Sequence, residues 1–143
     1  MKRIWEIIPE YDSLKESVEL AEKYGVIFEY NDFFLPEIYE DTLEVEKRIK
    51  EYKSLSRDRS NDTLHGVFFD IAMSSRDSII RERSRFLMEQ SMDIAGRLGC
   101  RGVVFHTGIL ANLWMEPYLS TWVKNATEYI STLAGKYADI DIY

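Results

Sequence analysis

Short runs of β-branched and aromatic residues alternate along this chain with longer segments of helical period, and this alternation constrains the fold most. Five runs have the length and composition of strands buried on both faces. They are Ile4–Ile8, Val26–Tyr30, Thr63–Phe68, Val103–His106 and Ile140–Tyr143. No linker or shift in composition divides the 143 residues. The pattern predicts a single α/β domain over residues 1–143, with parallel strands joined by right-handed crossovers.

Four predicted helices lie between these strands. The first two begin with capping-box patterns at Ser13 and Asp41. The third covers about Ser78–Leu98, and Pro117 stands where a first-turn proline begins the fourth. Glycine directly follows the first and third helices, as in left-handed C-terminal caps. Residues close to each helix end therefore predict the helix boundaries.

The connections from strand to helix are longer than the connections back, and they contain all three prolines of the chain, Pro9, Pro36 and Pro117. Sites of parallel α/β proteins lie at the carboxyl ends of the strands, where these loops gather. We therefore expect the functional site on that face, with Asp70 near its rim or in a turn.

The chain has two histidines, one early in the third predicted strand and one at the end of the fourth. His65 lies in the third strand and His106 ends the fourth, each followed by glycine within two residues. Neighbouring parallel strands end side by side, so the two imidazoles are expected to face one cavity. Imidazole suits metal ligation and proton transfer near neutral pH. A metal site needs a third and usually a fourth ligand, so the pair alone does not make one.

The segments Leu64-His65-Gly66-Val67-Phe68-Phe69-Asp70 and Val103-Val104-Phe105-His106-Thr107-Gly108 resemble the third and fourth strands of the xylose-isomerase-like TIM-barrel superfamily. This superfamily includes sugar phosphate isomerases and epimerases and metal-dependent apurinic endonucleases. The resemblance implies a partial (β/α)8 barrel of about five strands and four helices. It also implies an isomerase or epimerase that moves a proton next to a carbonyl with the help of a divalent metal, Mn, Mg, Co or Zn.

By the same resemblance, His65 and His106 match the strand-end histidines that hold the metal or contact the sugar. Glu29, at the end of the second predicted strand, is a further candidate for substrate contact, and Trp114 is a candidate for stacking on a sugar face. The expected partner is a small sugar or sugar phosphate.

A complete barrel has about 250 residues and eight strands, whereas this chain ends in its fifth predicted strand. In the family, a metal-binding glutamate follows on that strand. We therefore expect an N-terminal half barrel whose metal site is incomplete, with no bound metal and no activity of its own. Open edge strands favour self-association.

Net charge and hydropathy bear on other functions. A formal charge of −7 disfavours nucleic-acid binding, including by a zinc-dependent apurinic endonuclease, the alternative within the same superfamily. No apolar run approaches the length of about 18 residues that suggests a membrane span, and the N-terminus does not resemble a signal peptide. We therefore expect a cytoplasmic protein.

A flavodoxin-like binding module is the alternative of another class, since such domains close at about this length. Pro9-Glu10-Tyr11-Asp12 is not a flavin phosphate loop, and no helix follows Tyr143. Strand order separates the two folds: 1-2-3-4-5 for a barrel and 2-1-3-4-5 for the wound sheet.

Overall fold

A computed structural model describes residues 4–69, 71–106, 108–109 and 112–143. Five strands form one sheet in which all neighbours are parallel, in the order β1-β2-β3-β4-β5. The strands are β1 Glu6–Ile7, β2 Ile27–Tyr30, β3 Thr63–His65, β4 Gly102–Val104 and β5 Asp141–Ile142. This order confirms the partial barrel and excludes the wound sheet of a flavodoxin-like module, which places β1 between β2 and β3.

Within the described residues, five α-helices connect the strands, and a 3-10 turn, Tyr11–Ser13, precedes the first. The α-helices are α1 Leu14–Tyr24, α2 Pro36–Tyr39, α3 Thr42–Ser54, α4 Ser78–Leu98 and α5 Glu116–Lys136. The prediction of four helices missed α2, a single turn that begins at Pro36. Among the described helices, none is both long and apolar enough to cross a membrane.

The helix ends follow mostly from local chemistry. Asp41 caps α3, because its carboxylate accepts hydrogen bonds from the Leu43 and Glu44 amides. Gly25 and Gly99 end α1 and α4 in the left-handed conformation, with φ of 62° and 79°. The capping box predicted at Ser13 is wrong in one respect. Ser13 precedes α1, but its side chain makes no capping bond.

The apolar core lies between the sheet and the helices. Side chains alternate across each strand, so Phe28 and Tyr30 of β2 pack outward against the helices, as Leu64 of β3 and Val103 of β4 do. The Tyr30 ring meets Tyr52 of α3 edge to face, with centroids 4.7 Å apart. The opposite face of the sheet, which would line the inside of a barrel, carries the polar residues between these positions.

Asp62, directly before β3, is completely buried and satisfied by its neighbours. Its carboxylate accepts hydrogen bonds from the Phe28 amide and the Tyr30 hydroxyl, at 2.9 and 2.8 Å. The Arg57 guanidinium pairs with both carboxylate oxygens and lies over the Phe28 ring, 3.8 Å from its centroid. This cluster ties the loop before β3 to β2, at the amino-terminal side of the sheet and away from the histidines.

Candidate active site

The structure brings His65 and His106 together. His65 is the last residue of β3, and His106 lies two residues beyond Val104, the residue of β4 that pairs with His65. Both side chains therefore fall on the inner face of the sheet. Their Nε2 atoms are 3.2 Å apart, and the ring centroids are 5.0 Å apart. The two imidazoles thus converge on one point at the carboxyl ends of neighbouring strands.

Glu29 of β2 holds His65 from the other side. The register pairs Glu29 with Thr63, so Glu29, Thr63 and His65 share the inner face. Glu29 Oε1 lies 2.6 Å from His65 Nδ1, and both side chains are largely buried. The Glu29 carboxylate is placed to accept a hydrogen bond from Nδ1–H of His65, and in the tautomer that carries its hydrogen on Nδ1 the Nε2 lone pair faces His106.

A second carboxylate extends this polar row to β1. Glu6 pairs in register with Ile27, which places it on the inner face beside Glu29. Desolvation, followed by the negative charge of Glu29, raises the pKa of Glu6 above its ordinary value. Glu6 therefore retains a proton more readily than a solvated glutamate does.

Three phenylalanines form an aromatic wall beside the histidines: Phe34 from the loop after β2, and Phe68 and Phe69 from the loop after β3. The Phe68 ring stacks on His106, with centroids 4.6 Å apart and planes 26° apart. Phe34 and Phe69 each contact Phe68, at 4.7 and 4.3 Å between centroids. Imidazole and phenyl rings thus line one continuous surface, polar on one side and apolar on the other.

The other predicted site residues do not join this cluster. Trp114 precedes α5 and is 71% exposed. Among the described residues, no ring contact or hydrogen bond connects it with either histidine. Asp70, expected near the rim, lies outside the described residues.

The histidine pair fits part of a metal site. Two nitrogen ligands of a tetrahedral zinc ion lie about 3.3 Å apart, which is close to the observed Nε2 separation. A carboxylate on the remote nitrogen, as Glu29 provides, is the usual support for a metal-ligating histidine. Within the described part of the chain, however, no group of three or more His, Cys, Asp or Glu side chains is arranged to hold a metal. A metal bound at this point would therefore find two candidate ligands and one supporting carboxylate among these residues.

The comparison with protein families agrees with the strand order. A family model described as Xylose isomerase-like TIM barrel matches residues 18–141. The chain belongs to this family. No curated protein sequence matches this xylose isomerase-like chain significantly.

Two solved structures share the fold of this xylose isomerase-like chain. One is the TTHB071 protein from Thermus thermophilus, described as soaked with ZnCl2, with a TM-score of 0.63 and 17% identity over 99% of this chain and 55% of that protein. The other is a D-tagatose 3-epimerase-like protein, with a TM-score of 0.66 and 18% identity over 98% of this chain and 52% of that protein. The chain therefore spans about half the length of these proteins, and at this identity the likeness establishes the fold alone.

Sequence reasoning did not identify Glu6 or the aromatic wall. Glu6 stands inside an apolar run, where its alternation with Ile7 was the available signal for an inward side chain. Phe68 was assigned to β3, but the strand ends at His65 and the following residues turn over the histidines. The signal for the wall was two consecutive aromatic residues just after a strand-end histidine.

Proposed function

We propose that this chain forms the first five strands of the catalytic barrel of a sugar or sugar phosphate isomerase or epimerase. The reaction is metal-assisted proton transfer next to a carbonyl. The observation that carries the proposal is the convergence of two imidazole Nε2 atoms, 3.2 Å apart, at the carboxyl ends of β3 and β4. That geometry supports a role for the two histidines as metal ligands, since enzymes of this fold class have their sites on this face.

A divalent metal bound there would polarise the carbonyl and hydroxyl oxygens of a sugar. His65 and His106 would each donate through Nε2. Glu29 would keep the His65 proton on Nδ1 and fix the ring plane, and the Phe68 ring would fix the plane of His106 from one side. The flat apolar wall beside them suits the C–H face of a sugar, a role for which Trp114 was the sequence-based candidate.

The structural likeness to a D-tagatose 3-epimerase-like protein supports a sugar as the substrate class. The remaining ligands and the carboxylates that transfer the proton would come from strands beyond the five described. We therefore propose that this chain by itself is inactive and binds metal weakly. The same assignment implies a cytoplasmic enzyme, as expected for sugar metabolism.

Metal titration tests the proposal most directly. Co2+ bound through imidazole gives visible absorption bands, and calorimetry with Zn2+ gives an affinity. We expect His65→Asn and His106→Asn each to weaken binding at least tenfold, and Glu29→Gln to weaken it about 10- to 100-fold through loss of the support to His65. Glu22→Gln, an exposed acid on α1, serves as the matched control and leaves the affinity unchanged.

Equal Co2+ affinity in the double variant His65→Asn/His106→Asn and in the unaltered chain would contradict the metal site. Turnover is tested separately, by incubating the chain with D-tagatose or D-fructose and Mn2+ and following the sugar composition by chromatography. No conversion is expected. Conversion that depends on His65 would overturn the assignment of the proton-transferring groups to other strands.

A further inference from the structure

A separate cavity lies between the loop before α4 and the segment that begins α5. Its volume is about 360 Å3, and it is lined by Ser74, Ser75, Arg76, Leu113, Met115, Pro117, Tyr118, Thr121 and Trp122. A smaller cavity of about 240 Å3 shares Ser74, Ser75, Tyr118 and Trp122 with it and extends to Gly108, two residues beyond His106. The larger cavity alone falls within the size range of small-molecule sites.

The walls of this cavity are mainly apolar and partly aromatic. Trp122 and Tyr118 of α5 border both compartments, and Met115 and Pro117 close the outer one. The indole Nε1 of Trp122 is buried and has no hydrogen-bond acceptor among the residues that the structure describes. A buried donor without an acceptor is costly.

One rim of the cavity is positively charged. The Arg76 guanidinium forms no ion pair, hydrogen bond or ring contact within the described residues, whereas those of Arg48, Arg83, Arg97 and Arg101 each pair with a carboxylate. Arg81 donates to the carbonyls of Ser75 and Arg76 and so holds the backbone that presents Arg76.

The start of α5 adds to this positive rim. Met115 occupies the N-cap position, and its side chain makes no capping hydrogen bond. Pro117 has no amide hydrogen, and the Tyr118 and Leu119 amides donate to the Met115 carbonyl, so the Glu116 amide is the first-turn donor that a ligand could use. The nearby acids are Asp77, whose carboxylate caps α4 through the Ile79 amide, and Glu116 in the first turn of α5. Neither forms an ion pair with Arg76.

We propose that this cavity binds a small, flat organic anion, with an aromatic or similarly planar body against the wall that contains Tyr118 and Trp122 and a carboxylate or phosphate group at Arg76 and the α5 amino terminus. The apolar walls account for the body, and the unpaired guanidinium accounts for the charge. This site uses none of the histidine cluster and does not depend on the proposed sugar chemistry.

Phenyl phosphate is the probe, with phenol as its uncharged counterpart. In 15N-labelled protein, titration with phenyl phosphate should saturate at millimolar concentration or below and shift the Trp122 indole N–H resonance, identified by its loss in Trp122→Phe. The Trp5 resonance should not move. Arg76→Gln should weaken phenyl phosphate binding at least fivefold and leave the weaker binding of phenol unchanged.

Arg83→Gln is the matched control, because it removes the same charge from an exposed position on α4. Its affinity for phenyl phosphate should stay within twofold of the unaltered chain. Absence of saturable binding, equal affinity in Arg76→Gln, or shifts confined to the histidines would each overturn the proposal. Arg76 is exposed, so thermal melting of Arg76→Gln is expected to match the unaltered chain and rule out misfolding as the cause.

Discussion

Four ionisable side chains stand in order across four neighbouring strands on the inner face of the sheet: Glu6, Glu29, His65 and His106. Each comes from a different strand or its end, and the register alone places them on one side. Since the apolar core lies on the other side, these groups are not needed for core packing. Along each short strand, the ionisable side chains on the inner face thus alternate with the apolar side chains that pack in the core.

The position of Glu6 makes stability depend on pH. Its pKa is raised in the folded chain from an ordinary value near 4.5, so the folded state binds the proton more tightly than the unfolded state. The free energy of unfolding therefore falls as pH rises from that value through the folded pKa. Glu6→Gln should remove this loss, so that its advantage over the unaltered chain grows from pH 4 towards neutrality.

Urea denaturation at intervals between pH 4 and 8 measures this difference. Glu22→Gln, at an exposed position, should follow the unaltered chain at every pH. A constant offset between Glu6→Gln and the unaltered chain would show that Glu6 titrates alike in the folded and unfolded states.

Asp62 stabilises the folded chain as the buried partner of the buried Arg57 guanidinium. Asp62→Asn keeps the shape of the side chain but leaves the Arg57 charge without its counter-charge. We expect a loss of about 3–5 kcal/mol in the free energy of unfolding. Asp139→Asn, at an exposed position in the same chain, should change it by less than about 0.5 kcal/mol. Similar losses in the two variants, measured by urea denaturation, would argue against the buried pair.

Only some of the individual site residues and their contacts could be predicted from the sequence. His106 could be located because it ends a β-branched run, and His65 because it lies in the preceding predicted strand. That His65 is itself a strand end follows only from the structure, in which β3 stops there. The Glu29–His65 contact depends on the register between β2 and β3, and no short-range pattern encodes that register. The stacking of Phe68 on His106 depends on how the loop after β3 turns, which is decided by tertiary packing.

Among the elements, the helices were predicted more closely than the strands. Helix ends depend on capping groups within a few residues, and α4 was predicted at its observed bounds. Strand ends depend on where the neighbouring strand stops pairing, so the predicted Thr63–Phe68 became the shorter β3, Thr63–His65. Helix α2 has four residues, which is too few to show a helical period.

The caps of α3 and α1 offer a matched comparison. Asp41→Ala removes two side-chain-to-amide hydrogen bonds and should cost about 1 kcal/mol of stability. Ser13→Ala removes a side chain that makes no such bond and should cost almost nothing. Chemical denaturation of both variants gives the two values, and a loss at Ser13 equal to that at Asp41 would restore the capping box.

Two glycines test packing at contrasting positions, one close to the Phe105 ring and one in α5 with open space around it. A Cβ at Gly66 would overlap the Phe105 ring, next to His106, so Gly66→Ala should cost about 1–3 kcal/mol and disturb the histidine pair. Gly135 lies in α5 with open space around it, so Gly135→Ala should gain about 0.5–1 kcal/mol. Thermal melts measure both, and a neutral Gly66→Ala would show that Phe105 moves aside freely.

At the scale of the whole molecule, the described sheet has two free edges, at β1 and β5. The β1 edge is apolar: Trp5 and Tyr24 are 67% and 64% exposed, and with Leu20 they line a groove of about 400 Å3 between β1 and α1. An unpaired edge beside an apolar groove favours association.

Fold class and strand order could be predicted from the alternation of elements, because parallel crossovers leave few topologies open.

We expect the isolated chain to self-associate at micromolar concentration, as measured by size-exclusion chromatography with light scattering. Trp5→Glu should shift the population towards monomer by placing a charge at the β1 edge. Leu43→Glu alters a side chain that is 80% exposed on α3 and should leave the distribution unchanged. A monodisperse, folded monomer of the unaltered chain would contradict this expectation.

Every strand of this sheet lies beside the strand that precedes it in the chain. The helices that cover its apolar face lie in the sequence between consecutive strands. Each newly synthesised strand–helix unit therefore meets its partner as soon as it leaves the ribosome, without waiting for distant sequence, and loop-closure entropy stays low. The five-strand unit is thus suited to acquire order vectorially, from its amino terminus onward, before any ring of strands is closed.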